Sequence, residues 1–337
     1  MKRDVFKIEA TELPFVKKIT EVNVTHGGCN SWLVQGKNTS ALIDCGCGVS
    51  DMHDFLRNTN LFPEKLIILL THSHCDHAGG AFWFDGRQCV EIYVHEAEIE
   101  NVKKGLDPDN SINYLGVKDD YRFIKCDNVQ KLREDQTFTL GGELEIRAIA
   151  APGHTNGSVI FFIEKHGALF TGDTFYRGAQ GMTTSMKSSN RFDQKQTLIT
   201  MLAMEGVEYA FPGHYDTMKG EELKSLLKER LKAYGTWFVF SEEWNDSHAK
   251  AFVKDSKKYR RLLKRDTQEK GPWKSVSYCN SQDDARNLMK EAKIQDGDSE
   301  LWQDTTAQRD QPSWCVLSTV SFIEEKRKRP RLIKMAY

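Results

Sequence analysis

Leu66-Ile67-Ile68-Leu69-Leu70-Thr71-His72-Ser73-His74-Cys75-Asp76-His77 is the stretch that decides how this chain folds. Five apolar residues in a row have the length of a buried strand, and the change of character at Thr71 marks its end. Three imidazoles and a carboxylate then crowd into six residues. That is a poor way to build a core and a good way to aim donors at one point. Histidine nitrogen and aspartate oxygen are what zinc and similar divalent ions take when a coordination position has to stay open.

Three further pieces share this context. His154 lies in Ala151-Pro152-Gly153-His154-Thr155-Asn156-Gly157-Ser158, Asp173 in Thr171-Gly172-Asp173-Thr174, and His214 in Pro212-Gly213-His214-Tyr215. Each adjoins an apolar, strand-like run at residues 144–150, 159–163, 168–170 or 207–211. Each is therefore expected in a loop at a strand end, where a rigid scaffold holds binding and catalytic groups. Five histidines and two aspartates suffice for two metal ions rather than one.

The four pieces, in this order, resemble the metallo-β-lactamase superfamily, and the resemblance covers roughly residues 22–234. It implies an α/β fold, the four-layer αβ/βα sandwich of that family. It also implies a ligand set, in which His72, His74 and His154 hold a first metal. Asp76, His77 and His214 hold a second, and Asp173 bridges the two. All seven positions carry the expected residue type. Zinc is the default ion, although manganese and iron accept the same donors.

Within the superfamily the chain is most similar to the animal acyl-CoA thioesterases that carry this domain. That likeness rests on Phe84-Asp85, Val94-His95-Glu96-Ala97-Glu98, Gly172-Asp173 with Tyr176, and Pro212-Gly213-His214 with Thr217. The glyoxalase II enzymes are more distantly similar, through the metal motifs and residues 153–158. Their glutathione-binding helical region is not recognisable here, nor is the large insertion that a nuclease of this family would carry.

The chemistry these residues allow is hydrolysis. Two divalent ions sharing Asp173 would share a water and lower its pKa to near neutrality, and the resulting hydroxide could attack an acyl carbon. Asp76 could also take and return a proton as the intermediate collapses. Tyr176, three residues after Asp173, is a candidate to hydrogen-bond a substrate oxygen; packing at the base of its loop is the alternative. The expectation is a dinuclear hydrolase of a thioester of acyl-CoA type. A hydroxyacylglutathione hydrolase or lactonase is the rival within the class, and a non-catalytic metal-binding interaction protein the rival outside it.

The rest of the 337-residue chain sets bounds. A net charge of −1 predicts no general attraction to nucleic acid. No apolar run reaches the 18 residues of a membrane span, and the amino-terminal residues lack the apolar stretch of a secretory signal, so a cytoplasmic location is expected. Eight scattered cysteines are then most simply reduced thiols. Cys45-Gly46-Cys47 has no second pair to make a zinc site, and Cys75, between ligand positions, reads as space-filling.

The predicted elements alternate. Strands at residues 31–35 and 41–44 flank a hairpin turn, residues 51–59 form a short helix, residues 65–70 a strand, residues 89–95 a strand and residues 96–104 a helix. Residues 144–170 are a strand-rich block and residues 221–234 a helix. Residues 105–127 and 177–195 read as long polar loops that could border the cleft; Lys187, Arg191 and Lys195 are either solvated loop charges, as is usual, or cations that could meet an anionic substrate.

We place a catalytic domain at residues 1–235 and a basic α+β extension, without an assigned role, at 236–337. From residue 246 onward, 20 lysines and arginines face 14 acidic residues, a net of +6, so the preceding part carries −7. Three of the seven tryptophans, at 273, 302 and 314, argue that this part folds. Residues 254–265 read as an amphipathic helix and residues 313–323 as a strand. Lys326-Arg327-Lys328-Arg329-Pro330-Arg331 reads either as a plain solvated basic run, such hexamers being common, or as a nuclear import signal that would add the nucleus to the expected location.

Overall fold

A computed structural model of the chain describes residues 5–22, 29–107, 109, 121–178 and 188–232, together with six strands between residues 237 and 335. The chain divides into two compact units. One comprises Met1–Ser189 and Ala203–Leu226, the other Asn190–Leu202 and Leu227–Tyr337.

The first unit contains two sheets. In the first, seven strands lie in chain order: β1 (Phe6–Ala10), β2 (Val16–Glu21), β3 (Asn30–Gln35), β4 (Thr39–Ile43), β5 (Lys65–Leu69), β6 (Val90–His95) and β7 (Val129–Leu132). The pairings from β1 to β4 are antiparallel and those from β4 to β7 parallel. The second sheet holds β8 (Thr137–Gly141), β9 (Leu144–Ala150), β10 (Val159–Ile163), β11 (Ala168–Gly172), β12 (Tyr209–Pro212) and β13 (Met218–Lys219). Within it β11 and β12 are parallel. The first unit's helices are α1 (Met52–Asn58), α2 (Cys75–Ala78) and α3 (Ile99–Lys104); α4 (Arg191–Ala203) falls almost wholly in the second unit, and α5 (Gly220–Lys232) begins in the first and ends in the second.

Why the strand before the histidines is apolar throughout now has a physical reason. Successive side chains of a strand point to opposite faces. Leu66 and Ile68 join Leu33, Leu42, Ile92 and Val94 in a core closed by Met52 and Leu56 of α1, Phe84, and Val102 of α3. Ile67 and Leu69 join Trp32, Val34, Ala41 and Ile43 in a second core, whose other wall is Phe138, Ile146, Phe161, Phe170 and Phe211 of the second sheet. The first sheet is therefore buried on both faces, and alternation has nothing polar to show. This is the α/β sandwich architecture implied by the resemblance.

Two readings need correction. The polar stretch expected to run to Lys195 ends earlier, because Asn190 Oδ1 accepts the Asp193 N–H at 3.3 Å and caps α4. Arg191 and Lys195 thus lie on a helix, and Lys195 is only 4% exposed. A buried amine is not the free cation that the loop reading required. Lys187 lies outside the described residues. In the second unit, residues 260–263 are a strand (Arg260–Leu263) and not part of a helix. They pair antiparallel with Ser275–Cys279, so sheet pairing overrides a local helical pattern there. That unit's six strands form one sheet with Trp237–Phe240, Trp314–Leu317, Glu300–Asp304 and Ile333–Met335. The basic hexamer at 326–331 lies outside the described residues.

Candidate metal centre

All seven predicted donors meet at one end of the first unit. Strands β4 and β5 run parallel, and their carboxyl ends deliver Asp44 and the turn Thr71 to His77. His154 sits in the β9–β10 connection, Asp173 directly after β11 and His214 directly after β12. Loops beyond strand carboxyl ends are where open α/β sheets place their sites.

The donors form two clusters. In one, His72 Nε2 is 2.9 Å from His74 Nδ1, and His154 Nε2 is 3.2 Å from the former and 2.9 Å from the latter. In the other, His77 Nε2 lies 3.4 Å from His214 Nε2 and 3.5 Å from Asp76 Oδ2, and His214 Nε2 is 3.2 Å from Asp76 Oδ2. Asp173 lies between them. Its Oδ1 is 3.3 Å from His77 Nε2, and its Oδ2 is 3.4 Å from His214 Nε2 and 3.7 Å from His154 Nε2.

Outer hydrogen bonds assign the protons on three of the rings. Thr71 Oγ1 donates to the carboxylate of Asp44 at 2.8 Å, so it can only accept from His72 Nδ1, 3.0 Å away. His77 Nδ1 donates to Asp44 Oδ2 at 2.8 Å, and His74 Nε2 to Asp109 Oδ2 at 2.7 Å. A neutral imidazole has one proton, so each inner nitrogen presents a lone pair. His72 and His74 then face each other lone pair to lone pair at 2.9 Å. A proton on His154 Nε2 could serve only one of them. Asp173 Oδ1, buried, accepts no hydrogen bond. A divalent cation resolves all of these conflicts at once, so the donor set fits a metal.

Electrostatics agree with the geometry. Burial alone would raise the pKa of Asp76, yet His77 and His214 hold it down at about 2. Burial likewise works against the charge on Asp173, and His214 and His77 keep its pKa well below the carboxylate range. Burial opposes a proton on His214, but Asp173 and Asp76 lift its pKa to about 10. Two ionised carboxylates thus demand positive charge beside them, which a proton on His214 supplies in the metal-free centre and a bound cation would supply in its place. Cys29 is close as well, with His77 and Asp44, but burial pushes its thiol up to about 12.

Tyr176 is buried beside this centre, its ring edge-on to His214 at 5.5 Å and 5.6 Å from the ring of Tyr215. Tyr215, at 59% exposure, shows most of its surface and has a φ of 64°. Its carbonyl oxygen is held by Asn30 Nδ2 at 2.7 Å and Lys18 Nζ at 3.3 Å. Cys75 is fully buried at the start of α2, and Cys45 and Cys47 are separate buried thiols rather than a disulfide.

Residues 24–214 match the profile of the metallo-beta-lactamase superfamily. The chain belongs to that superfamily. It is, accordingly, a metal-dependent hydrolase with a histidine–aspartate donor cluster. Among similar proteins is the acyl-coenzyme A thioesterase MBLAC2 of Gallus gallus, 27% identical over 227 residues that cover 61% of this chain and 79% of the relative. A probable polyketide biosynthesis zinc-dependent hydrolase, BaeB of Bacillus velezensis, is 30% identical over 200 residues, 58% of this chain and 77% of that one. Among solved structures, metallo-beta-lactamase IND-7 superposes with a TM-score of 0.51 at 18% identity, covering 68% of this chain and 98% of its own. The last likeness is one of fold.

The sequence motifs contain Thr71 and Glu98 but give no role to either side chain, nor to Asp44 or Asp109. Asp44 collects Thr71 N and Oγ1 and His77 Nδ1, and Glu98 accepts from Ser73 Oγ and, at 3.0 Å, from Gly157 N. For Asp44 a signal existed, namely a carboxylate closing the apolar run Ala41-Leu42-Ile43. No helix among the described residues is long and apolar enough to cross a membrane.

Proposed function

We propose that the chain is a dinuclear hydrolase of thioesters of acyl-CoA type. The observation that carries the dinuclear part is the Asp173 carboxylate, within 3.7 Å of imidazole nitrogens of both clusters. In this reading His72, His74 and His154 hold one ion, Asp76, His77 and His214 the other, and Asp173 both. Zinc is the first choice, and manganese or iron suit the same donors. Residues 1–235 form the catalytic part, and 236–337 carry no assigned role. The thioester is supported by the names of the chicken, cattle and human relatives, all acyl-coenzyme A thioesterases at 25–27% identity.

Bound divalent ions supply Lewis acidity, which brings the pKa of a water toward neutrality and polarises a carbonyl. The chain's own residues do the rest. Asp76 stays ionised near neutral pH and can accept a proton and pass it to the departing thiolate. Burial and the nearby Asp173 push the phenol of Tyr176 up, so it remains a protonated donor for a substrate oxygen.

The test is free-thiol release by the zinc-loaded protein from a long-chain acyl-CoA and from lactoylglutathione in parallel, with a chelated control. Chelator-sensitive release from acyl-CoA supports the proposal, and release from lactoylglutathione alone moves the substrate to the glutathione class. Silence on both with zinc bound would exclude the thioester. Asp76→Asn is expected to abolish turnover of the zinc-loaded protein. Undiminished turnover in that variant would remove Asp76 from the chemistry.

A further inference from the structure

The polar segment at 105–127 contributes one carboxylate to the centre that neither the ligand set nor the proton transfer uses. Asp109 is buried, with its side chain wholly shielded, and its Oδ2 lies 2.7 Å from His74 Nε2. The same carboxylate accepts Ser188 N at 3.0 Å and the Ser188 hydroxyl. Next to it, Ser189 Oγ donates to the carbonyl oxygen of His154 at 2.8 Å. Asp107 Oδ1 takes the Asp109 N–H at 3.0 Å, while its Oδ2 faces Cys75 N at 3.4 Å. One carboxylate thus joins His74 to Ser188, and the neighbouring Ser189 holds the backbone of His154, a second donor of the same cluster.

We propose that Asp109 is a positioning residue that selects the donor nitrogen of His74 and, through Ser188 and Ser189, sets the spacing of His74 and His154. This rests on reading the first cluster as a metal site. An acceptor on Nε2 keeps the ring proton there and leaves Nδ1 as the lone pair turned toward His72 and His154. Only a carboxylate can do this while also serving Ser188. Three donors converge on it, and an ionised carboxylate has about four lone-pair sites and no hydrogen. An asparagine would turn an NH2 toward at least one of those donors. An alanine would leave His74 free to change tautomer and the Ser188 amide without its acceptor.

The test is zinc binding by the full chain, with zinc alone as the probe in competition with a chromophoric chelator. Cobalt absorption bands give a second readout of coordination. Asp109→Ala is expected to weaken zinc binding by about 10–100-fold, the range typical for an outer partner of a ligating histidine. Its cobalt bands should shift in position and intensity. Asp109→Asn, nearly the same shape, covers the case in which the alanine variant does not fold, and is expected to show a smaller loss with the same spectral shift. Ser188→Ala removes the hydroxyl bond to Asp109 but keeps the amide bond and the bond to His74, and should shift the bands less than either Asp109 variant.

Parent-like zinc affinity and parent-like cobalt bands in the Asp109 variants would overturn the inference. A parent chain that binds no zinc would overturn the metal reading itself, and this inference with it.

Discussion

At the scale of single residues, the centre is built from close approaches that tolerate no additional atom. A Cβ on Gly213 would stand 2.6 Å from both Asp173 Oδ1 and His77 Cε1. The backbone cannot slide away, because Gly213 N donates to Gly172 O at 2.9 Å and Gly213 O accepts from Asn30 N at 2.6 Å. Gly213→Ala should therefore displace the donors rather than the strand. Misplacement on the order of 1 Å costs about 100-fold in rate, so thiol release should fall that far with the circular dichroism spectrum retained. A variant of parental activity would show that the donors are not held where they stand. Glu21 offers a test of another kind, since it is buried and accepts from Cys47 N at 3.1 Å and from Ser50 N. Burial lifts its pKa above the ordinary 4.5 despite those bonds. The folded state then holds this proton more tightly than the unfolded state does. The contribution of Glu21 to stability is thus fully present below 4.5 and is lost as pH rises through the elevated folded pKa. Denaturation of parent and Glu21→Gln side by side should give a stability difference, parent minus variant, that declines from about pH 4.5 toward neutrality. A flat or rising difference would contradict the sign. Every member of the centre that is a histidine, or an aspartate beside a glycine, could be read from the sequence. Asp109 could not, because its partner Ser188 is 79 residues away and neither belongs to a patterned segment.

Among elements, what could be read followed from burial. The strand before the histidines, the helix after Asp51 and the strand–helix succession at 89–104 showed themselves because apolar runs, caps and turn residues agree there. Helix α1 shows this well, with Asp51 Oδ1 accepting Asp54 N at 2.8 Å and the Thr59 N–H bonded to Phe55 O. A helix of seven residues has little cooperative support, so its cap matters. Asp51→Ala should cost about 1 kcal/mol, measured by chemical denaturation, and leave metal content unchanged. A loss below a few tenths of a kcal/mol would show that Met52 and Leu56, buried in the first core, hold the helix unaided. Helix α4 was missed for the opposite reason. It opens on Arg191-Phe192-Asp193-Gln194-Lys195-Gln196, which has no apolar stripe to announce it, and only the Asn190 cap distinguishes it from a loop. The strand at Arg260–Leu263 depends on a partner 12 or more residues further on, and no local pattern reports pairing at that distance.

Across the whole first unit, the donors tie two sheets together. His72, His74, Asp76 and His77 hang from the first sheet, His154, Asp173 and His214 from the second. The apolar core shared by the sheets includes an aromatic cluster, with Trp32 of the first sheet 5.1 Å from Phe211 of the second, and Phe170 stacked beside Phe211 at 5.0 Å. The Trp32 indole N–H also reaches across to Pro212 O at 3.1 Å, two residues from His214. Unfolding that separates the sheets must therefore break the metal centre, and a metal bound only by the folded form opposes that separation by mass action. At a free zinc concentration of 1,000 times the dissociation constant, this amounts to about 4 kcal/mol. For a unit of this size the midpoint should rise by roughly 10 °C. Calorimetry with zinc and with chelator should show this difference in the main transition. His154→Ala and His72→Ala, each removing a donor from one sheet, should both blunt it, since a centre that spans the sheets fails from either side. Were chelation to leave the midpoint in place while zinc was released, the sheets would be held by their apolar core alone, and the centre would contribute only to catalysis.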